Sequence, residues 1–182
     1  MITLRKLRFE DKDQVFKWRN LPGVAKYMYT DHRISPEEHE KWFNTALSDA
    51  TRVYWIIIRD GQDVGLVNLY NLDRKNQRSH WAFYIASPDV RGSGIGSFVE
   101  YSMLQYAFDE LHLNKLCCEV LVSNEAVIAM HKKFGFQQEG YFSEHISKGN
   151  VLEDIACLAI KRSEWEKIKM DIESRLKQKG LL

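Results

Sequence analysis

An α+β fold of α/β/α type is predicted for this chain of 182 residues, with a mixed, mostly antiparallel central sheet, a central parallel strand pair and helices on both faces. Three observations carry that expectation. Runs of β-branched and aromatic residues bounded by turn residues recur along the whole chain. The first of them are close enough to pair as a meander. A long helical pattern then separates the Trp81-Ala82-Phe83-Tyr84-Ile85 run from the next strand, and that connection requires a crossover that leaves the two strands parallel. One domain over residues 1–182 is of ordinary size for such a core.

Ile2-Thr3-Leu4-Arg5-Lys6-Leu7-Arg8 alternates apolar and polar residues, as a half-buried strand does. Glu10 to Asp13 then open a helix carrying Val15, Phe16 and Trp18, with acids at the positive end of its dipole. Pro22-Gly23 ends it near Asn20, and residues 24–29 follow as a short helix or loop. Ser35-Pro36-Glu37-Glu38 reads as a capping box that starts a helix with Trp42, Phe43, Ala46 and Leu47 on one side. Residues 53–59 form a strand, Asp60-Gly61 a hairpin turn, and residues 63–72 a strand interrupted by Gly65. Ile95, Phe98, Val99, Met103, Tyr106 and Ala107 place a helix over about residues 93–110. Residues 115–122 form the parallel partner strand, and residues 124–134 a helix closed by Gly135. A hairpin over Lys148-Gly149-Asn150 and a charged helix from Ser163 complete the chain.

Composition excludes several classes of function. With 26 basic and 25 acidic residues the formal net charge is +1, so no broad nucleic-acid or membrane surface is expected. No apolar run is long enough to span a bilayer and no signal peptide is legible, which predicts a cytoplasmic protein. Cys117, Cys118 and Cys157 have no metal-ligand spacing and read as reduced core thiols.

The stretch most informative about function is Asp89-Val90-Arg91-Gly92-Ser93-Gly94-Ile95-Gly96-Ser97, a Gly-rich turn between strand and helix. A helix start leaves backbone N–H groups without partners, and the dipole there favours negative charge by roughly 0.3–1 kcal/mol. Gly92, Gly94 and Gly96 allow close approach to that backbone, and Arg91 adds a cation, so the stretch reads as a phosphate cradle. No Lys precedes Ser97, against a P-loop, and Ser97 stands where a dinucleotide fingerprint needs its last Gly.

R-x-x-G-x-G at Arg91, Gly94 and Gly96, followed by Asn124, Ala126, Gly135 and Phe136 as N-x-A-x(8)-G-F, resembles the GNAT superfamily of acetyl-CoA-dependent N-acetyltransferases. The two motifs span about residues 81–136, and the element order agrees across nearly the whole chain. The resemblance implies that the parallel strands splay apart to admit the pantetheine arm, and that Val90, Arg91, Gly92, Ser93, Gly94, Ile95, Gly96 and Ser97 hold the coenzyme A pyrophosphate. It also implies that Ile85 lends backbone to the cofactor and that Asn124 fixes its pantetheine end, unless Asn124 only caps its helix.

Chemistry then requires a base for the amine, a donor for the oxyanion and an acid for the leaving thiolate. A backbone N–H near Tyr84 and Ile85 suits the oxyanion. Many family members place a Tyr seven residues after the Asn, where this chain has His131. A neutral imidazole is a poor proton donor, so the substitution leaves open whether His131 is the acid or a packed helix residue. Glu119, an acid inside a strand pattern, is the carboxylate candidate, and Tyr84 and His80 are candidates for the acceptor side.

Trp18-Arg19-Asn20, Met28-Tyr29-Thr30, His39 and Trp42-Phe43 resemble a narrower group, the N-acetyltransferases of pseudaminic acid biosynthesis, which act on a UDP-linked 4-amino sugar. That resemblance implies that Arg19, Met28 and Tyr29 bind a nucleotide-sugar. The alternatives are acetylation of a protein N-terminus or ribosomal protein, acetylation of a polyamine or antibiotic, and an idle acyl-CoA-binding module. The C-terminal helix and aromatic surface strands offer faces for a homodimer.

Overall fold

The computed structural model describes residues 1–90 and 92–182. Arg91, expected at the mouth of the cradle, lies outside the described residues. A seven-stranded sheet runs in the order β1-β2-β3-β4-β5-β7-β6. Its strands are β1 (Ile2–Lys6), β2 (Val53–Arg59), β3 (Gln62–Asp73), β4 (Arg78–Ile85), β5 (Lys115–Leu121), β6 (Gln137–Lys148) and β7 (Val151–Lys161). Every neighbouring pair is antiparallel except β4 with β5, the pair joined by a helical crossover.

Successive side chains of a strand point to opposite faces, and both faces of this sheet are covered. Trp55, Ile57, Val67, Leu69, Trp81, Leu116 and Cys118 belong to the larger core, shared with α4 (Ile95–Gln105), α5 (Glu125–Lys133) and α6 (Arg162–Gln178). The intervening residues Tyr54, Ile56 and Leu66 meet Val15 of α1 (Lys12–Arg19) and Phe43 and Ala46 of α3 (Pro36–Ser48). No helix among the described residues is long and apolar enough to cross a membrane.

Several local expectations are refined. The helix expected from residue 93 begins at Ile95, because Gly94 has φ +89°, a left-handed conformation incompatible with a helical turn. It passes into a π turn over Tyr106–Glu110. The capping box is half formed: Ser35 Oγ accepts from the Glu38 N–H at 3.2 Å, while the Glu38 carboxylate turns to His32 at 2.9 Å. Of residues 24–29, the first two end the short helix α2 (Pro22–Ala25) and residues 26–29 are turn and bend.

Gly65 does not interrupt β3. It pairs with Ile57 on one side and Ile85 on the other, beside an irregularity in the β2–β3 register. A Cβ there would lie 2.3 Å from the Tyr84 carbonyl oxygen, so the absent side chain is what lets the strands approach. We expect Gly65→Ala to lower stability by about 1–3 kcal/mol, the usual cost of overpacking, in urea unfolding monitored by tryptophan fluorescence. An unchanged midpoint would show that β4 can yield at no cost.

Candidate active site

The β4–β5 ladder is only three residue pairs long, from Arg78↔Lys115 to His80↔Cys117. Both strands run on, β4 to Ile85 held by β3 and β5 to Leu121 held by β7, so they diverge while each keeps its outer neighbour. The V so formed opens a cavity of about 380 Å³. Trp81, Ala82, Phe83, Tyr84 and Ile85 line one wall; Cys118, Glu119, Val120 and Leu121 line the other. Asn124, Ala126, Val127 and His131 close it on the α5 side, and Gly23, Val24, Tyr27, Met28 and Tyr29 on the opposite face of the sheet.

The Gly-rich loop lies beside this cavity. A Cβ on Gly96, in the first turn of α4, would stand 3.0 Å from Met130 Sδ and 3.8 Å from Phe83, a cavity residue. Gly94 caps α4, and the first N–H to close a helical bond is that of Phe98, to the Gly94 carbonyl at 3.1 Å. The amides of Ile95, Gly96 and Ser97 therefore lie ahead of the first helical hydrogen bond and have no acceptor among the described residues. Gly92 has φ +78°, and among the described residues beyond its chain neighbours no atom lies within 4 Å of where its Cβ would be. Ser93 Oγ and its N–H both turn back to the Val90 carbonyl, which pins the loop. Open space above a glycine, next to a helix N-terminus whose first amides have no acceptor among the described residues, fits a diphosphate. The inner edges of the two diverging strands, facing each other across the cavity, fit an extended amide-bearing arm.

Asn124 occupies the N-cap position of α5, but its side chain makes no cap hydrogen bond; its carbonyl accepts from Val127 and Ile128 instead. The capping alternative for this side chain is thereby removed, and its amide is left on the cavity wall.

His131 is 3% exposed, and its ring sits 5.3 Å from that of Trp81 and 5.2 Å from that of Phe136. Its Nδ1 lies 2.7 Å from Oε1 of Glu100, a residue of α4 with no exposed surface. The second carboxylate oxygen, Oε2, is buried with no partner among the described residues. Burial pushes the Glu100 carboxyl above the ordinary carboxylate range, and the His131 hydrogen bond opposes that rise. With Nδ1 taken, Nε2 is the ring nitrogen left for the cavity that His131 lines.

Glu119 stands on the other face of β5, where Tyr29 Oη donates to it at 2.7 Å and joins the 24–30 loop to the sheet across the cleft. Burial, then that hydrogen bond, raise the Tyr29 phenol far above its usual value, so it stays a neutral donor. The Lys148 ammonium, from the β6–β7 hairpin, donates to the carbonyls of Ala25 at 3.1 Å, Thr30 at 3.3 Å and Met28. The loop is thus tied at both ends. Tyr84 lines the cavity, yet its hydroxyl is buried without a partner among the described residues, and burial raises its phenol well above the normal range.

Two expected residues lie elsewhere. Arg19 does not line the cavity: its guanidinium lies over the Trp42 ring at 4.6 Å, because α1 presents it to α3. His80 sits at the closed end of the V, paired with Cys117 and 5.4 Å from the Tyr70 ring. Glu100 and Lys148 were missed by reading the chain in order. An acid among Ile95, Val99, Met103 and Leu104 was a legible signal for the first; nothing local marks the second.

A family model described as the acetyltransferase (GNAT) domain matches residues 1–137. The chain belongs to the GNAT family. It is an acetyl-CoA-dependent N-acetyltransferase. Among GNAT relatives it is similar to YdaF of Bacillus subtilis, at 25% identity over 174 residues, covering 91% of this chain and 93% of YdaF. It is also similar to the acetyltransferase PseH of Campylobacter jejuni, at 28% identity over 146 residues, covering 79% of this chain and 85% of PseH. The GNAT fold is shared with a crystal structure of spermidine N-acetyltransferase from Vibrio cholerae in complex with CoA and spermine. That match has a TM-score of 0.83 and 22% identity, and covers 91% of this chain and 98% of the other.

Proposed function

We propose that this enzyme acetylates the 4-amino group of a UDP-linked 4-amino-4,6-dideoxy-N-acetylaltrosamine, a nucleotide-sugar. The observation that carries this reading is the acceptor wall. Among the described cavity residues Glu119 is the lone carboxylate, and Tyr29 already holds it, while Tyr27, Met28, Tyr29 and Tyr84 supply flat or apolar surface. A polyamine would need several carboxylates to replace the water around its charges. A sugar needs flat faces and a few hydrogen-bonding groups, which this wall has.

In the same reading the loop amides of Gly92, Ser93, Gly94, Ile95, Gly96 and Ser97 hold the coenzyme diphosphate, and the β4–β5 cleft with Asn124 holds its arm. The coenzyme supplies an acetyl group activated as a thioester. Tyr84 and Ile85 border the reacting end of the cleft. Glu119 orients the amine from the far face of the sheet, and His131 faces the thiol side. The protein thus brings its two substrates together through the gap in the sheet, where proximity alone contributes much of the rate.

The test is thiol release from acetyl-CoA with a panel of acceptors: the aminosugar nucleotide, spermidine and an N-terminal peptide. We expect kcat/KM for the aminosugar nucleotide to exceed the others by at least about tenfold, a difference of about 1.4 kcal/mol. Spermidine or the peptide as the preferred acceptor would overturn the assignment. In the same assay Lys148→Met should raise KM for the acceptor several-fold while KM for acetyl-CoA holds, because it frees three carbonyls of the acceptor loop and leaves the α4 loop untouched. Equal changes in both constants would show a general loss of structure instead.

A further inference from the structure

Glu100 has no structural reason to be charged where it is. It lies on the buried stripe of α4 with Ile95, Val99, Met103 and Leu104, where a leucine would pack without cost. A carboxylate there is tolerated only with a partner, and among the described residues its partner is His131 Nδ1. Trp81 and Phe136 fix the plane of the imidazole from two sides. The result is a ring with one nitrogen tied to a dry carboxylate and the other at the cavity in which the transfer takes place.

We propose that Glu100 is a positioning residue that makes His131 the proton-exchanging group of the reaction, the buried carboxylate and the imidazole working as one unit. The proposal rests on the reading above that the β4–β5 cavity holds the thioester. In a dry site the pair is best accommodated with no net charge. In that state Nε2 carries a hydrogen whether the proton between the partners sits on Nδ1 or on Glu100. This removes the objection that a neutral imidazole is a poor donor, since loss of the Nε2 proton leaves the ordinary neutral ring hydrogen-bonded to a carboxylate.

The step balances. The amine nitrogen bonds to the acetyl carbon, the C–S bond breaks with its electron pair passing to sulfur, and Nε2 gives sulfur a proton. The surplus proton of the amine nitrogen returns to Nε2, and the pair ends as it began. Cys118 of β5 is a titratable group that faces the pair. Burial, reinforced by Glu100, holds its thiol well above the usual range, so it stays neutral throughout.

Glu100→Gln keeps the shape and a hydrogen bond but removes the charge. We expect kcat to fall more than tenfold with KM for acetyl-CoA within twofold. The alkaline limb of the kcat profile should move to lower pH, because an amide stabilises the protonated ring less than a carboxylate does. In a His131→Phe background the same change should alter kcat less than twofold. A profile that does not move, or an equal loss of kcat in both backgrounds, would overturn the proposal. Should the Gln variant not fold, nitrogen NMR of the wild-type enzyme with labelled histidine decides. Nε2 is expected to carry a hydrogen at the pH of full activity, and a bare Nε2 there would also overturn it. Calorimetric titration of wild-type enzyme with acetyl-CoA separates the two readings: no binding removes the cavity assignment, whereas binding with an insensitive Glu100→Gln variant removes the pair alone.

Discussion

We expect His131→Phe to lower kcat at least tenfold, and up to the roughly 10²–10⁴-fold that a positioned acid or base contributes, without changing the affinity for acetyl-CoA. Phe fills nearly the same space between Trp81 and Phe136, so the core keeps its packing. What is lost is Nε2 at the cavity and the partner of Glu100. The orphaned carboxyl costs about 1–3 kcal/mol of stability, and this should appear as a lower unfolding temperature. The two effects are separable by assaying turnover well below that temperature and measuring coenzyme affinity by calorimetry. Affinity should hold, because the diphosphate is assigned to the loop amides of residues 92–97 and Phe keeps the bulk of the ring at the cavity wall. Unchanged turnover would remove His131 from the mechanism.

Gly92→Val should raise KM for acetyl-CoA more than tenfold at little change in kcat once the coenzyme is saturating. The position has φ +78° and, among the described residues beyond its chain neighbours, open space where a side chain would stand, so the cost of the larger residue there is backbone strain of about 1–2 kcal/mol. The functional loss would come from filling the space a diphosphate needs. Gly149→Val is the control: it too has positive φ (+61°) and no neighbour within 4 Å, but it lies in the β6–β7 turn. It should cost similar stability and leave KM for acetyl-CoA alone. If both variants raise KM alike, the loop is not the coenzyme site.

The meander, the crossover and the Gly-rich loop were legible because each is dictated by near neighbours. Alternation along residues 2–8, the Asp60-Gly61 turn with both φ values positive, and glycines ahead of an apolar helix are local statements about the backbone. The start of α4 was misplaced by two residues for an equally local reason, the left-handed Gly94. His131 was found by its distance from Asn124, and its doubtful competence as an acid was a fair inference from the ring alone. Its partner comes from another helix, 31 residues earlier. Likewise Tyr29 meets Glu119 across 90 residues, and Lys148 reaches a loop more than 115 residues before it. Arg19 was placed at the acceptor by resemblance, yet α3 supplies a Trp42 face that takes its guanidinium.

By itself, then, the order of residues determined the elements, the parallel pair and a glycine-rich helix start, since periodicity and glycine act within a few residues. Only the tertiary structure decided where the ladder between β4 and β5 ends, which side chains meet in the opening, and that a glutamate on α4 completes a histidine on α5. Those depend on how elements distant in sequence pack on the two faces of one sheet, and the burial that gives the Glu100–His131 pair its chemistry exists only once they have done so.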